Sequence, residues 1–361
     1  MGVSWRSYVS LTKPRVVVLL QITALCAVLV HDRMYEQLSI ETAQTMLIVF
    51  VGGYLSAGGA NAINMWYDRD IDPKMTRTES RPIPSGEVSA KSALYLGVLL
   101  SIAGVMWFWV LSNEVAAFWS AFSILFYVFI YSIWLKRSTP QNIVIGGIAG
   151  STPPVIGWAS AEDDLAVSTE SVTEVMQSLV DIGSPLPWLM FLLIFLWTPP
   201  HFWALALYRS EEYGRVGVPM LPNVKGPERT LIEMKIYAIV LILMSLAVPS
   251  SYGVLEVGDT LYLILGSNVV GLSIWYASSV WRIDLSEDRD ETGRMPTAAR
   301  SFFISMLYLA LMFVVLVTAS FGVTGAILGT GVSLFAILRI ESRSNLTPRW
   351  LQTPTAPWRS G

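Results

Sequence analysis

Asn64, Asp68 and Asp72 are spaced four apart, so a helix carries all three on one face, and Asp70 lies between the last two. Three carboxylates this close repel one another unless a cation neutralises them. Oxygen donors at that density suit Mg2+, a hard ion often held by one or two carboxylates together with phosphate oxygens. Lys74, Arg77 and Arg81 follow at once and can hold those phosphates, arginine through bidentate contacts and lysine as a point charge. Acid for metal and base for phosphate, side by side, is the logic of a diphosphate site. Pro82, Pro84 and Gly86 then close the segment as a turn-rich loop. A solvated loop of mixed charge is the alternative. Against it stands the fact that the Asn and Asp residues begin inside an apolar helix, where ionisable groups are costly and usually functional. The small residues just upstream, GGYLSAGGANAIN, let helices approach closely and also leave room for a ligand.

A second polar cluster is WTPPHFWALALYRSEEYGRVGVPMLPNVKG, residues 197–226. Pro199 and Pro200 predict a local kink or break in its helix. His201 follows, one of only 2 histidines, and Arg209, Glu211, Glu212, Tyr213 and Arg215 lie downstream. If the segment is helical, His201, Tyr208 and Glu212 share one side. Carboxylates here and in the first cluster can hold metal–diphosphate from opposite sides. The plainer alternatives are a histidine satisfied within a kink and a wet acidic loop. His31, beside Asp32 and Arg33 at a helix end, reads as interfacial.

These clusters sit in a chain of 361 residues that is 53% hydrophobic and 14% charged, where a soluble domain has about 25% charge. A membrane span needs roughly 20 apolar residues. Segments near 16–31, 43–66, 92–112, 114–135, 141–160, 187–208, 233–251, 261–281 and 301–320 qualify, and a Gly-containing stretch at 322–338 is a weaker tenth. The expected fold class is all-α, a polytopic membrane bundle of about nine transmembrane helices with a tenth C-terminal segment or re-entrant stretch in question. One bundle domain, 1–320, is expected, with 321–361 as a C-terminal extension ending in a basic tail. Of the 24 Lys and Arg, nineteen fall at one end of the bundle, in the N-terminus and the motif-bearing loops, and only Arg33 falls at the other. The positive-inside rule puts that end, with the N-terminus, in the cytoplasm. The loop at 161–181 is acidic and Ser/Thr-rich and reads as solvated. The 14 Trp and 14 Tyr fit interfacial belts. A net charge of -3 argues against nucleic-acid binding. The lone cysteine, Cys26, forms no internal disulfide. The N-terminus shows no apolar core with a cleavage site, so no removable signal peptide is expected.

Four stretches carry a family resemblance: LTKPRVVVL (11–19), NMWYDRDIDPKMTRTESRPIPSG (64–86), KRSTPQNIVIGGIAGSTPPVIGWA (136–159) and TPPHFWALALYRSEEYGRVGVPMLPNVKG (198–226). Together they resemble the UbiA superfamily of intramembrane prenyltransferases, across roughly residues 11–319. The first motif points only to the superfamily. The second loop looks like the branch that farnesylates protoheme IX, because the superfamily's usual second loop is richer in Asp. Two departures concern topology and not chemistry: a longer, more acidic 161–186 loop and the segment after Ser320.

The resemblance implies transfer of farnesyl from farnesyl diphosphate to a vinyl group of heme B, with addition of water, giving heme O and diphosphate. Heme B is then substrate and not a resident cofactor. It implies Mg2+ held by Asn64, Asp68 and Asp72, and by Glu212 from the second loop. Lys74, Arg77, Arg81 and Arg209 would neutralise the leaving diphosphate, His201 would lie near the acceptor, and Asn142 and Tyr208 would help bind substrate. Lys13 and Arg15 read equally as substrate contacts or as a topological anchor. A multi-pass cell-membrane location, and downstream a heme A synthase or terminal oxidase assembly, belong to the same expectation. The nearest rival is a member of the superfamily acting on an aromatic, quinone-precursor or lipid acceptor, and the flanks of His201 discriminate the two. A transporter would scatter ionisable residues through mid-membrane on several helices. Here they cluster at helix ends.

Overall fold

An apolar run in a bilayer finds no water for its peptide groups, so the long hydrophobic segments must be helices. The computed structural model describes residues 4–35, 38–75, 78–163, 165–208, 217–253, 255–289 and 294–342. Its helices are α1 (Trp5–Leu11), α2 (Pro14–Tyr35), α3 (Ile40–Tyr67), α4 (Ala90–Leu111), α5 (Glu114–Leu125), α6 (Asn142–Ser151), α7 (Pro153–Ala161), α8 (Val172–Val180), α9 (Leu186–Tyr208), α10 (Leu221–Lys225), α11 (Pro227–Ser245), α12 (Thr260–Trp281), α13 (Pro296–Ala319) and α14 (Gly322–Ser342). Among the described residues, 9 helical stretches are long and apolar enough to cross a membrane, α6 and α7 together making one of them. The all-α membrane bundle expected from the sequence is the fold observed.

α11 falls short of that hydropathy because Glu228, Arg229, Glu233 and Lys235 occupy its first turns. At about 28 Å it still has the length of a span, and it packs between α9 and α12. It starts at Pro227, ahead of the expected 233, because Gly226 at φ 85° breaks the chain and Pro227 opens the helix. The weak tenth segment is a full helix, α14, packed on α12 and α13. Its last turn is pinned where Glu341 accepts hydrogen bonds from Trp275 Nε1 (3.0 Å), Arg282 (2.9 Å) and Arg300 (2.8 Å). Arg282 follows α12 and Arg300 lies in the first turns of α13. The chain therefore returns to the end that carries the motifs.

α2 to α7 form one group of neighbours and α9 to α14 another, joined where α9 packs on α6 and α7 and where α2 packs on α13. In hydrocarbon, helices associate by close van der Waals contact and interhelical hydrogen bonds, which favours small residues. The α3–α4 seam shows this. A Cβ added at Gly104 would stand 2.7 Å from the Ser56 backbone nitrogen, and one at Gly59 would stand 2.6 Å from that of Ser101. Ser56 Oγ bonds Ser120 Oγ of α5 at 2.8 Å, tying a third helix to the seam.

Three local expectations change. α9 runs unbroken through Pro199 and Pro200, because packed neighbours and hydroxyl side chains make proline tolerable in a membrane helix. Thr198 Oγ1 bonds the Ile194 carbonyl at 2.7 Å just before the pair. The acidic 161–181 segment, read as a solvated loop, contains α8, capped by Ser171. His31, read as interfacial, is buried at 2% exposure between Asp32 (2.9 Å) and Glu162 (3.0 Å), joining α2 to the start of that segment.

Gly104→Ala should therefore lower the thermal unfolding temperature of nanodisc-embedded protein, by the equivalent of about 1–3 kcal/mol. Gly271→Ala, in α12 with no atom within 4 Å of the added methyl, should be neutral or stabilising.

Candidate active site

α3 ends at Tyr67 and the chain continues as two single 3-10 turns, Asp68–Asp70 and Asp72–Lys74. The single helical face expected for Asn64, Asp68 and Asp72 therefore splits. Asn64 and Asp68 stay together, Asn64 Nδ2 donating to Asp68 Oδ2 at 3.1 Å. Asp72 lies beyond the turn, where both its carboxylate oxygens accept from Arg81 Nη1, at 2.8 Å each. Thr78 Oγ1 donates to the Asp72 carbonyl at 2.8 Å and fixes the returning loop. Asn64, Asp68 and Asp72 are all buried, at 3%, 0% and 2% exposure.

Buried charge is tolerable only when paired. Asp68 pairs with Lys136, Asp72 with Arg81, and the outward-facing Asp70 with Arg137 at 2.7 Å to each oxygen. Lys136 and Arg137 lie just past α5, where residues Phe126–Trp134 continue as a π-helix before a 3-10 turn at Leu135–Arg137. Wide π turns are rare and are frequent at functional sites. This one aims Ser132 Oγ back at the Tyr127 carbonyl (2.8 Å) and lets it accept from Asn64 Nδ2 (3.0 Å).

Lys13 completes the group, its Nζ donating to Asn64 Oδ1 at 2.8 Å. It joins α1 to α2 at φ 50°, the only non-glycine among the described residues with positive φ. That conformation costs about 1–2 kcal/mol, and such strain clusters at functional sites. The joint is held from α3, where Asn61 Nδ2 donates to the Thr12 carbonyl at 3.2 Å. Burial, reinforced by Arg81 and Lys136, pushes the Lys13 ammonium down to about 7, while Asp68 and Asp72 act the other way. An anion bound beside it would restore its charge.

One oxygen is left over. Asp68 Oδ1 is buried without a hydrogen-bond partner, and Arg137 stands 3.6 Å away, beyond hydrogen-bond reach. An orphaned anionic oxygen beside Asn64 is a donor that a hard cation can take. Among the described residues no set of three His, Cys, Asp or Glu forms a metal cluster by itself, so further ligands must come from elsewhere.

The second cluster approaches the first through Ile71, Ile143, Ala206, Val218 and Met220, which pack as one apolar plug. Arg77, Arg209 and Glu212, with Glu211 and Arg215, lie outside the described residues. Lys74 is exposed on the second 3-10 turn. Tyr208 ends α9 with the Arg294 guanidinium 5.5 Å above its ring. Asn142 is buried and spends its amide on the Thr139 (2.6 Å) and Pro219 (3.4 Å) carbonyls, linking α6 to the second loop. His201 lies two turns, about 10 Å, inside α9. Its ring stacks between Trp197 (4.1 Å) and Phe302 (4.7 Å), and Nδ1 bonds Ser305 Oγ at 2.6 Å. Sequence reasoning left Lys13 undecided and missed Lys136, Arg137 and Ser132. The only signal for the pair was the KR that closes helix four.

Lys136→Met should unmask an unpaired buried carboxylate and cost about 3–5 kcal/mol in thermal unfolding. Adding Asp68→Asn should recover most of that loss, and a double variant no more stable than Lys136→Met would show that the pairing is not what holds the cage.

A profile of the UbiA prenyltransferase family matches residues 20–307. The chain is 40% identical over 334 residues to a protoheme IX farnesyltransferase of Parvibaculum lavamentivorans, covering 92% of this chain and 93% of the relative. It is 43% identical over 309 residues to the protein of the same name from Rhodopseudomonas palustris strain BisB5, covering 86% and 88%. Among solved structures, a digeranylgeranylglyceryl phosphate synthase superposes with a TM-score of 0.65 at 18% identity, covering 88% of this chain and 99% of that one. A UbiA homologue from Archaeoglobus fulgidus bound to DMAPP and Mg2+ superposes at 0.57 with 16% identity, covering 86% and 99%. At these identities the structural likeness speaks for the fold.

Proposed function

The chain belongs to the UbiA prenyltransferase family, and we propose that it farnesylates heme B to heme O. In that reaction the bond from farnesyl C1 to the diphosphate oxygen breaks and C1 bonds to the terminal vinyl carbon. Water adds to the other vinyl carbon and gives up a proton, and diphosphate leaves. The observation that carries the donor side is the cage where a membrane helix meets a loop, with Asn64, Asp68 and Asp72 buried and Lys13, Lys136 and Arg81 half-buried against them. The acceptor assignment rests on relatives of about 40% identity that are named protoheme IX farnesyltransferase.

Asn64, Asp68 and Asp72 offer oxygens for Mg2+, with Glu212 of the second loop as the partner donor. When bound, the ion supplies Lewis-acid stabilisation of the charge that grows on the leaving diphosphate. Lys13, Arg81 and Lys136, with Lys74, Arg77 and Arg209, hold that charge electrostatically, strongest in the transition state, where it is largest. Arg81 and Lys136 are positioned by the very carboxylates they neutralise, so they are preorganised before substrate arrives. Tyr208, at the end of α9 beneath the Arg294 guanidinium, would help bind substrate. Asn142 acts by holding the second loop to α6. His201 orients an apolar, aromatic-lined wall for the heme. Its stacking geometry with Trp197 and Phe302 suits a planar acceptor's edge.

We assign the cage end and the N-terminus to the cytoplasm from the distribution of Lys and Arg. Residues 1–320 form the catalytic unit in this reading, with 321–361 as its extension. Heme O produced in the bilayer would pass to a heme-oxidising enzyme or a terminal oxidase.

Membranes carrying the chain, supplied with heme B, farnesyl diphosphate and Mg2+, should yield an extracted heme heavier by one farnesyl group and one water. Asp68→Ala and Asp72→Ala should each reduce that yield at least about 100-fold, with the protein still folded in the membrane. EDTA should do the same, and full activity after chelation would remove the metal from the mechanism. His201→Ala should raise the KM for heme more than that for farnesyl diphosphate. Unaltered heme from folded protein would move the assignment to an aromatic or lipid acceptor.

A further inference from the structure

The end of the bundle opposite the cage carries α8 outside the spanning helices. Its sequence, VTEVMQSLV, is sharply two-sided. At 100° per residue, Val172, Val175, Met176, Leu179 and Val180 fill one continuous apolar sector, and Thr173, Glu174, Gln177 and Ser178 fill the other. Only part of the apolar sector faces protein. Leu179 is buried, while Val172, Met176 and Val180 are 82%, 58% and 49% exposed. The helix holds no Lys or Arg, and its one charge, Glu174, lies on the polar side.

What surrounds the end of α8 shows the depth at which it lies. Three indole N–H groups from three different helices donate to carbonyls at or just past its end: Trp119 of α5 to Leu179 (2.8 Å), Trp188 of α9 to Val180 (2.9 Å) and Trp158 of α7 to Ile182 (3.1 Å). A helix end in water needs no such partners, whereas one in a water-poor layer must have its last carbonyls satisfied by protein. Trp119 and Trp188 are the sixth and third residues of their helices, the headgroup level of two spans, where tryptophan concentrates. From there the rings continue down the flank: Phe118 against Trp119 (5.5 Å), Trp119 against Trp188 (5.2 Å), Trp188 against Phe191 (6.1 Å) and Phe191 against Phe195 (6.3 Å). The unpartnered stripe of α8 thus joins an aromatic, lipid-facing surface.

We infer that α8 is an interfacial helix, with Val172, Met176 and Val180 seated in the headgroup–acyl boundary of the leaflet opposite the cage. The occupant is the lipid surface itself. The acidic side chains around the helix, Glu162, Asp163, Glu170, Glu174 and Asp181, suit a zwitterionic surface and not an anionic one. Docking is therefore apolar in origin. The seat, the three indoles and the His31–Glu162 bond together tie α8 and Glu162 to that end of the bundle.

The test is site-directed spin labelling in a Cys26→Ala background, in phosphatidylcholine nanodiscs. Labels at Val172→Cys, Met176→Cys and Val180→Cys should relax preferentially with oxygen, at a depth of about 5–10 Å. Labels at Thr173→Cys and Gln177→Cys should relax preferentially with a water-soluble nickel chelate. Retained prenyl transfer certifies the fold of each variant, and any one of the three apolar sites suffices if another fails to fold. Nickel accessibility at Met176 equal to that at Gln177 would overturn the inference. So would protection of Met176 from both reagents, which would mean that a second protein chain covers the stripe.

Discussion

Asp68 has no exposed surface and sits where an apolar helix gives way to a loop. A carboxylate there has a large desolvation cost, and every surrounding feature follows from neutralising it. Lys136 approaches from the end of α5, Asn64 from one turn earlier in α3, Arg137 from beyond hydrogen-bond reach. Lys136 reaches its position because a π-helical stretch follows α5. Asn64 is in turn fixed by Lys13 and Ser132, and Lys13 accepts a strained backbone to get there. Among the buried side-chain oxygens of the cage, Asp68 Oδ1 alone has no hydrogen-bond partner, and in the proposed reading that oxygen is the one a cation takes.

The rest of the bundle serves this constraint by being rigid. α3 carries Asn61 and Asn64 on its last turns and is capped by Asp68, so the position of the cage is set by how α3 packs. It packs through glycines and serines that bring backbones nearly into contact, an arrangement with little freedom to slide. The second motif loop is brought to the same end by α9, whose last turn shares an apolar plug with Ile71 of the first loop. In the proposed reading the donor chemistry sits at a helix end near the membrane surface, and His201 lies deeper in α9 among aromatic rings. A diphosphate needs cations, whereas the face of a planar acceptor needs apolar surroundings, and the depth difference between cage and histidine fits that division.

The opposite end solves a different problem. Its acidic segment looks water-soluble by composition, yet it is tied down by three indoles and a histidine held between two carboxylates. Composition averages over the segment and hides the two-sidedness of α8, which emerges only when residues are placed at helical angles.

The all-helical membrane bundle and the burial of Asn64, Asp68 and Asp72 as one polar group were legible in the sequence. The reason is that the hydrocarbon thickness dictates span length, and carboxylates inside an apolar run are too costly to be incidental. The sequence also pointed to Arg81 as a cation of the site, though not to its partner. It did not reveal that Asp72 leaves the face shared by Asn64 and Asp68, because two short 3-10 turns replace the continuing helix and no propensity distinguishes them. Nor did it reveal Lys136, Arg137 or Lys13 as members of the cage. A lysine at the end of a helix looks the same whether it anchors topology or neutralises a carboxylate 68 residues away. Tertiary structure alone decided that, because pairing depends on which helix ends meet in space, and that is set by backbone packing between helices whose contacts are far apart in the chain.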